Sequence, residues 1–408
     1  MTAHSPVEVL TFGCRLNIVE SEAIRRAAAA AGERDLVVVN TCAVTAEAVR
    51  QARQAIRRTA RRRPDARIVA TGCAVETDRA AFADMPEIAA IVPNAEKTAP
   101  ATWGVQATPV EDDAPVEDTG ITGHTRGFVA FQNGCDHRCT FCIIPFGRGA
   151  SRSVPVEDAV TQIAALVASG HRDVVLTGVD LTSWGADLSG EPRLGELVTR
   201  ILNEVPGLPR LRLSSIDVAE VDPALRDAIG REKRLMPHLH LSLQSGNDLI
   251  LKRMKRRHSR ADAIRVCREL RALRPDIVFG ADLIAGFPTE SDAMFEDTLS
   301  LIEACGLTHV HAFPYSSRPG TPAARMPQVP AEAARARAAR LRDAGAACLA
   351  RHLDAQIGRK VTVLAERGGK GRAEDFTPVH LPDAVPGALI AAKVTGHRNQ
   401  ALTLQGYG

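Results

Sequence analysis

Three closely spaced cysteines are the residues of this chain best suited to carry out chemistry. They are Cys135, Cys139 and Cys142, a Cys-x3-Cys-x2-Cys pattern within one short segment. Three thiolates this close together can hold three irons of a cubane iron–sulfur cluster, which leaves the fourth iron without a protein ligand. An open iron can bind a small molecule, so the pattern predicts a cluster that takes part in catalysis as well as electron transfer.

A structural zinc site is the alternative interpretation of the same segment. His137 would then be the fourth ligand beside the three cysteines. This interpretation is less favoured, because Cys-x-His-x-Cys within one short loop closes a tetrahedron poorly. A third interpretation, ordinary buried thiols, fits the local density of cysteines least well.

A second set of three cysteines is spread through the first part of the chain. Cys14, Cys42 and Cys73 each follow a short apolar run that is predicted to be a strand. The carboxyl ends of parallel strands meet at one edge of an α/β sheet, where ligands commonly bind. We therefore expect these three thiols to meet in space and hold a second cluster. Small buried hydrophobic residues are the alternative interpretation.

The elements that must position these cysteines alternate strand and helix, so the predicted fold class is α/β. Residues 5–98 predict a small parallel α/β domain, with strands at 7–12, 36–39, 68–71 and 88–92 and helices at 21–31 and 46–63. Residues 99–124 predict a linker. Residues 125–356 predict a partial β/α barrel of six strand–helix units followed by an Ala/Arg-rich helix at 331–356. Residues 357–408 predict a small β-barrel.

Composition bounds the class of protein. The chain has 408 residues, a net charge of +3 and nine cysteines. The first residues lack a basic region followed by an apolar stretch, so no signal peptide is predicted and we expect the protein in the cytoplasm. In that compartment nine cysteines predict metal or catalytic roles and not a disulfide framework. No run of 18 or more apolar residues occurs, so we expect no membrane span. The small net charge means that any surface for nucleic acid must be a local patch.

The chain resembles the radical S-adenosylmethionine (radical SAM) superfamily at the Cys135 segment, including Phe141 before the third cysteine. Over nearly the whole length it is similar to the methylthiotransferase family, and within it to the MtaB branch, which modifies threonylcarbamoyl-adenosine at position 37 of tRNA. The motifs behind that likeness are Thr11-Phe12-Gly13-Cys14-Arg15-Leu16-Asn17 with Glu20-Ser21-Glu22, Asn40-Thr41-Cys42-Ala43-Val44-Thr45, Gln132-Asn133-Gly134-Cys135, Arg212-Leu213-Ser214-Ser215, and Pro314-Tyr315-Ser316-Ser317-Arg318-Pro319-Gly320-Thr321.

The resemblance implies two 4Fe–4S clusters and SAM as cofactors. The auxiliary cluster would be held by Cys14, Cys42 and Cys73. The radical-generating, catalytic cluster would be held by Cys135, Cys139 and Cys142. A SAM-derived radical would activate the strong C2–H bond of adenine, and a methylthio group would be attached to that carbon. The C-terminal barrel would be a TRAM-like RNA-binding domain. One departure is Thr289, where many relatives have glycine; a β-branched residue there predicts a turn without positive φ.

The residues that contact SAM are predicted from their positions in the barrel. They fall at the ends of barrel strands, where barrel enzymes build their sites. Asp180 is expected near the SAM amino group, with a helix N-cap as the equal alternative. Arg148 and Arg152 would bind a carboxylate or phosphate, or form surface salt bridges. The predicted SAM-binding residues are Gly178, Asp180, Gln244, Ser245 and Asp282.

The expected macromolecular partner is tRNA. From Thr45 to Ile68 there are eight arginines against Glu47 and Asp65, and Arg50, Arg53, Arg57 and Arg61 recur at helical spacing. A second basic run covers 252–257, and the end domain has seven Lys/Arg against four Asp/Glu. A solvated charged face is the plainer interpretation of each run.

An electron donor of the flavodoxin or ferredoxin type is also implied, but the sequence identifies neither that donor nor the sulfur source. Three other functions stay open: a methylthiotransferase for isopentenyl-adenosine in tRNA, one for a ribosomal-protein aspartate, and a non-catalytic iron–sulfur RNA-binding protein.

Overall fold

The computed structural model describes residues 7–104 and 124–407. These residues form two compact units. The first unit contains 7–104, 133–152 and 316–321, and the second contains 124–132, 153–315 and 322–407. All six cysteines of the two triplets lie in the first unit. The domain boundaries given above, which group the chain differently, stay predictions.

The first unit is built on a four-stranded parallel sheet in the order β1-β2-β3-β4. Its central strand β2 is buried throughout, as expected for a strand with helices on both faces. The parallel sheet predicted from the strand–helix alternation is therefore confirmed. Its elements are β1 (Glu8–Thr11), α1 (Arg15–Ala30), β2 (Leu36–Thr41), α2 (Ala46–Arg62), β3 (Arg67–Gly72), α3 (Cys73–Thr77), α4 (Arg79–Ala83) and β4 (Ala90–Ile91).

Helix α1 and the start of the linker differ from the prediction, and the short helices α3 and α4 were not predicted. Helix α1 begins at Arg15, directly after Cys14, and not at residue 21, because the polar side chains of its first two turns are buried by partners elsewhere in the fold. The predicted linker also begins with structure: Pro100–Trp103 form a 3-10 helix, and Trp103 is buried with its indole Nε1 donating to Lys97 O at 2.8 Å. Most of the predicted linker, 105–123, lies outside the described residues.

Short elements follow in the next stretch of chain. They are β5 (Gly127–Ala130), β6 (Gln132–Asn133), α5 (Ile144–Arg148) and β7 (Arg152–Ser153). The three cysteines of the Cys-x3-Cys-x2-Cys pattern lie between β6 and α5, in a segment that has little regular structure of its own.

The second unit contains an open parallel barrel of six strand positions, which confirms the predicted partial β/α barrel. The third position is bent at Ser214: β9 pairs with β8, and β10 pairs with β11. Two helices, α8 and α9, were not predicted, because both are short. The elements are α6 (Val156–Ala168), β8 (Asp173–Thr177), α7 (Leu194–Glu204), β9 (Arg210–Leu213), β10 (Ser215–Ile216), α8 (Pro223–Arg231), β11 (His238–Gln244), α9 (Asp248–Met254), α10 (Arg260–Leu273), β12 (Val278–Ala285), α11 (Asp292–Cys305) and β13 (Leu307–Pro314).

The expectation for Thr289 is wrong. Thr289 adopts φ 69°, in the left-handed region that favours glycine. Two hydrogen bonds hold it there: its backbone N donates to Pro327 O at 3.0 Å, and its Oγ1 accepts from Arg253 Nη1 at 2.7 Å. The turn therefore keeps the geometry that glycine would give, with a side-chain contact offsetting the strain.

The chain ends in a long helix and a closed five-stranded barrel, as predicted. The strand Lys370–Ala373 was missed, since its sequence is Gly-rich and polar. In the described part of the chain no helix has the length and apolarity needed to span a bilayer. The elements are α12 (Ala331–Gln356), β14 (Lys360–Glu366), β15 (Lys370–Ala373), β16 (Pro378–His380), β17 (Leu389–Arg398) and β18 (Ala401–Leu404).

Candidate metal centres

The first cysteine triplet lies at the carboxyl edge of the β1-β2-β3 sheet. Cys14 follows β1 and precedes α1, Cys42 follows β2, and Cys73 is the first residue of α3. Burial, together with smaller contributions from the nearby Cys14 and Cys73, raises the pKa of the Cys42 thiol to about 11. The fold thus brings together three thiols that lie about thirty residues apart in sequence, as expected from the strand ends.

Glycines make room for this convergence. Gly13 and Gly72 have φ values of 96° and 98°, and each precedes a cysteine of the triplet. A Cβ atom at position 13 would lie 2.5 Å from the Sγ of Cys42, and one at position 72 would lie 2.5 Å from Thr41 O. Neither position can accept a side chain without moving backbone or a thiol, so the approach of the strand ends depends on both glycines.

The second cysteine triplet lies in a loop that is closed on itself. Cys135 N donates to Gly149 O at 3.1 Å, and Cys142 N donates to Cys139 O at 3.1 Å. Gly134 has φ 74°, and a Cβ atom there would lie 1.8 Å from Ala150 O. The two ends of the segment are therefore pinned together, which holds its three thiols in one compact loop.

A buried charge network connects this segment to the first triplet. Arg148 Nη1 donates to Glu20 Oε1 at 2.7 Å, and Arg148 Nη2 donates to Glu20 Oε2 at 3.0 Å. Lys97 Nζ lies 2.6 Å from Glu20 Oε2, and all three side chains are buried. Burial acts to raise the pKa of Glu20, but Lys97 and Arg148 outweigh it, so that carboxyl stays ionised.

This network gives the first triplet a positive surrounding. Burial raises the pKa of the Cys73 thiol, and the charges of Arg148 and Lys97 act to lower it. With Lys97 protonated, two cations face one carboxylate, which leaves one buried positive charge beside the cysteines. A cluster ligated by three thiolates is anionic, so a buried positive charge stabilises it by a direct Coulomb attraction in a low dielectric.

A second observation also fits a bound group. Asn94 Nδ2 lies 3.9 Å from the Sγ of Cys73 and donates to Gly147 O. Among the described residues, Asn94 Oδ1 is buried with no hydrogen-bond partner. A buried amide oxygen without a partner is costly, and it lies here on the same side chain that contacts a cysteine. The donor set and its surroundings therefore fit an iron–sulfur cluster at Cys14, Cys42 and Cys73.

The spacing of the thiols bears on the zinc alternative. Thiolates on one zinc ion with Zn–S bonds of about 2.3 Å lie roughly 3.8 Å apart, whereas thiolates on different irons of a cubane are farther apart. Within the described residues, the three sulfur atoms of each cysteine triplet do not all lie within 4.8 Å of one another. The three sulfur atoms of each triplet are thus spread more widely than three thiolates on one zinc ion would be.

Two predicted SAM-binding positions in the second unit, Gly178 and Asp180, are held by partners that the sequence did not reveal. Gln132 Oε1 accepts from Val179 N at 2.9 Å and from Asp180 N at 2.7 Å. A Cβ atom at Gly178 would lie 2.9 Å from Gln132 O, which explains the glycine. The carboxylate of Asp180 precedes the 3-10 helix Leu181–Ser183 and accepts from the hydroxyls of Thr182 and Ser183. A contact of Gly178 or Asp180 with SAM stays a prediction.

The end of strand β11 is strained at a predicted site residue. Gln244 has φ 68°, and the pairing of β11 with β12 shifts register between Leu241 and Gln244. Strain of this kind concentrates at functional sites. Ser245 is buried, and its hydroxyl lies 3.2 Å from that of Thr298. Ser245 therefore has a structural contact, and the SAM contact proposed for each residue stays a prediction.

Asp282 lies between two histidines. Its Oδ1 is 3.0 Å from His240 Nε2 and 3.4 Å from His311 Nδ1. Burial acts to raise the pKa of Asp282, but the hydrogen bonds from both imidazoles outweigh it and hold that pKa well below the usual range. Asp282 was predicted as a site residue, whereas both histidines were missed, although His238-Leu239-His240 and His309-Val310-His311 repeat one pattern on the strands at either side of β12.

Arg148 does not form the surface salt bridge that was one of its two predicted roles. It is buried, and its partners are Glu20, Asn17 and Asn133. Sequence reasoning also missed Lys97, which lies just before the predicted linker. Asn17 and Glu20 entered the predictions only as part of a motif. The signal that could have found them is the presence of polar residues among the apolar residues Leu16, Ile24 and Ala27 of the same helix.

Two protein-family models match this chain, each over a different part of its length. Residues 129–302 match the radical SAM superfamily model, and residues 6–93 match the model described as Uncharacterized protein family UPF0004. The radical S-adenosylmethionine methyltransferase TsrM from Kitasatospora setae has a similar fold, with a TM-score of 0.55 at 16% identity over 78% of this chain and 77% of that one. The fold and the cysteine loop thus define a radical SAM enzyme, whose superfamily uses a 4Fe–4S cluster and SAM.

Full-length relatives narrow the class. The chain is 46% identical over 398 residues to Threonylcarbamoyladenosine tRNA methylthiotransferase MtaB of Rickettsia prowazekii (strain Madrid E), covering 95% of this chain and 94% of the relative. It is 36% identical over 420 residues to tRNA-2-methylthio-N(6)-dimethylallyladenosine synthase of Cereibacter sphaeroides (strain ATCC 17025 / ATH 2.4.3), covering 95% of each. This chain belongs to the methylthiotransferase family of radical SAM enzymes and is a sulfur-group transferase of the MtaB type.

Proposed function

We propose that this protein attaches a methylthio group to adenine C2 of threonylcarbamoyl-adenosine at position 37 of tRNA. The observation behind this choice is the 46% identity to the MtaB relative over 95% of the chain, against 36% to the dimethylallyladenosine synthase. Both cysteine triplets lie in one compact unit, as a reaction that joins the products of two cluster sites would need. We place the reaction in the cytoplasm with its tRNA substrate.

The residues of the first unit would hold the two clusters. Cys14, Cys42 and Cys73 would hold the auxiliary cluster, and Cys135, Cys139 and Cys142 the catalytic one. When bound, the clusters and SAM supply the carbon radical and the sulfur transfer that an unactivated C–H bond requires. Arg148 and Lys97 together face the single carboxylate of Glu20, which leaves one positive charge beside Cys73.

The residues of the second unit would bind SAM. The Gly178 backbone would approach the cofactor closely, and Asp180 would accept from its amino group, positioned by the hydroxyls of Thr182 and Ser183. Gln244 would contact the nucleoside from its strained strand end. Ser245 is a further candidate for a SAM contact, and Asp282 is one only if its carboxylate, which lies between two histidines, does not bind a metal ion. Gln132 positions the 178–180 loop through two backbone amides.

Binding of tRNA is supported by the charge of the C-terminal barrel, which we propose is TRAM-like. It places six basic side chains in solvent: Arg359, Lys360, Arg367, Lys370, Lys393 and Arg398. A basic surface suits the phosphates of RNA. It argues against the basic ribosomal protein that the third branch of the family would require. The electron donor would be a flavodoxin or a ferredoxin.

Mass spectrometry of tRNA nucleosides from cells with and without this gene tests the proposal. We expect the methylthio form of threonylcarbamoyl-adenosine to disappear without the gene and to return with the wild-type chain. A plasmid encoding Cys139→Ala should not restore it, whereas Cys348→Ala should. Loss of a methylthio derivative of dimethylallyladenosine instead would assign the chain to the other tRNA branch. An unchanged set of methylthio nucleosides would contradict the tRNA function.

A further inference from the structure

A third group of potential metal ligands lies in the second unit, apart from the cysteines. It comprises His240 on β11, Asp282 on β12 and His311 on β13, which are three adjacent parallel strands. Asp282 pairs directly with His311 in the register, and His240 pairs with Gly280, two residues before Asp282. Residues two apart on a strand share a face, so all three side chains project from the same side of the sheet.

The distances match those around a single ion. The ligand atoms of the three residues all lie within 4.8 Å of one another. Asp282 Oδ1 is 3.0 Å from His240 Nε2 and 3.4 Å from His311 Nδ1. Ligands at about 2.1 Å from a zinc-class ion lie about 3.0 Å apart at right angles and about 3.4 Å apart in a tetrahedron. The cysteine triplets do not meet this criterion, whereas the His–Asp–His group does.

The fold makes space for the imidazoles. A Cβ atom at Gly280 would lie 2.7 Å from His240 Nδ1 and 3.3 Å from the Cβ of His309. Any other residue at 280 would push the His240 ring away from Asp282. The absence of a side chain at this point of the strand therefore preserves the position of a ligand nitrogen.

The burial of the group is graded. The His240 side chain is 11% exposed, that of Asp282 is 30% exposed and that of His311 is 58% exposed. One side of the group is thus enclosed by the barrel and the other is open. Three protein ligands with an open side are the arrangement of sites that bind an exchangeable molecule at the metal. Two imidazoles and one carboxylate suit a divalent first-row ion.

We propose that His240, Asp282 and His311 bind one divalent transition-metal ion of the zinc and ferrous class. This site is separate from the six cysteines and does not depend on the proposed tRNA substrate. Asp282 would then be a metal ligand, and the SAM nucleoside would be contacted by the other predicted residues.

Zinc binding by the full-length protein with its clusters reconstituted tests this site. The protein is equilibrated with ZnCl₂ under anaerobic conditions, and zinc, iron and sulfide are counted in the same sample. We expect one zinc per chain above the background of the double variant His240→Gln/His311→Gln. Asp282→Asn should weaken zinc binding at least tenfold, with iron and sulfide unchanged, while the surface control His171→Gln should bind as the wild type does.

X-ray absorption at the zinc edge separates this site from zinc lodged among the cysteines. A nitrogen and oxygen shell without sulfur supports the proposal, and a sulfur shell overturns it. If the double variant does not fold, Gly280→Ala replaces it, since the added Cβ displaces His240 without removing a ligand. Zinc retention equal to the wild type in the folded variants overturns the proposal.

A SAM binding measurement on Asp282→Asn decides between the two roles of this carboxylate. The metal site predicts that zinc affinity falls at least tenfold in this variant and that SAM affinity stays within about threefold of the wild type. SAM affinity that falls tenfold with zinc affinity unchanged would return Asp282 to the SAM nucleoside and overturn the metal site.

Discussion

Arg148 Nη1 donates to Glu20 Oε1 across 2.7 Å, and neither side chain reaches solvent. The arginine belongs to the segment that carries the Cys-x3-Cys-x2-Cys pattern, and the glutamate belongs to the helix that follows Cys14. This ion pair joins the protein surroundings of the two cysteine triplets. A disturbance of the pair is therefore expected to affect both the stability of the first unit and its capacity for iron.

Arg148→Gln tests this relationship. The change removes the buried hydrogen bonds of Arg148 to Glu20, Asn17 and Asn133, whereas Lys97 still pairs with the Glu20 carboxylate. Because buried polar groups are then left without a donor, we expect a loss of about 1–3 kcal/mol in the free energy of unfolding. The loss of positive charge beside Cys73 should also lower the iron content. Urea unfolding and iron analysis measure the two effects. The matched control Arg152→Gln, at an exposed arginine four residues on, should stay within about 0.5 kcal/mol of the wild type.

The two cysteine triplets should separate by function. Replacing Cys14, Cys42 and Cys73 together by alanine is expected to halve the iron and sulfide per chain and to leave reductive cleavage of SAM in place. Replacing Cys135, Cys139 and Cys142 should halve the iron and abolish SAM cleavage, because the open iron is lost. Cys348→Ala is the control for both. Retention of SAM cleavage by the second triple variant would contradict the assignment.

The basic stripe on α2 differs from the one predicted. Arg50 binds Glu47 and Arg53 binds Asp78, so both are neutralised. The exposed arginines that form no ion pair within the described residues are Arg57, Arg58, Arg61 and Arg62. They lie 11 to 16 residues beyond the start of α2, about 16 to 24 Å along the axis at 1.5 Å per residue. At that distance from the sheet edge that carries the cysteines, these arginines are placed to contact tRNA phosphates other than those of the nucleotide being modified.

Neutralising this patch should weaken tRNA binding in a salt-dependent way. With Arg57, Arg58, Arg61 and Arg62 all changed to glutamine, we expect about tenfold weaker binding at low salt. The slope of log K against log salt should fall by about 0.7 to 0.9 for each phosphate that the variant no longer neutralises. Filter binding over a salt series measures both. Arg50→Gln is the control, since its charge is already paired. Equal slopes in the two variants would argue that the patch is a solvated face.

Thr289→Gly tests the strained turn. A non-glycine residue in the left-handed region costs roughly 1–2 kcal/mol, while the hydrogen bond from Arg253 contributes about 1 kcal/mol. We therefore expect the variant to be as stable as the wild type or more stable by up to about 1 kcal/mol. The control Thr199→Gly, inside α7, should lose a few tenths of a kcal/mol in helix propensity and the hydrogen bond from Thr199 Oγ1 to Gly195 O. Denaturant unfolding measures both variants, and a larger loss at 289 than at 199 would contradict the explanation.

His309 should make the folded state sensitive to acid. Burial lowers the pKa of His309 to about 4, below its ordinary value near 6.5. The unfolded chain therefore binds a proton between these values that the folded chain does not, and stability falls as the pH falls through this window. We expect His309→Gln to reduce the loss of unfolding free energy between pH 7 and pH 5 by on the order of 1–2 kcal/mol. Thermal unfolding at both pH values would reveal this, and identical pH dependence would contradict it.

The fold and the cysteine sites were largely predictable because their signals are local. Strand–helix alternation determines where strands end, and Cys14, Cys42 and Cys73 sit at those ends. The buried partners of the site were not predictable, since Glu20, Lys97 and Arg148 meet only after the chain has folded. The left-handed Thr289 was mispredicted because its strain is offset by Arg253, which lies 36 residues away.

The pair formed by Glu20 and Arg148 also has a consequence for biosynthesis. The two residues are 128 positions apart. At about 5–20 residues per second, a ribosome needs roughly 6 to 26 s to go from one to the other. During that interval Cys14, Cys42 and Cys73 have all been made, but the guanidinium that completes their surroundings has not. We therefore predict that a cluster held by Cys14, Cys42 and Cys73 matures late, after the ribosome has made the segment that contains Cys135, Cys139 and Cys142.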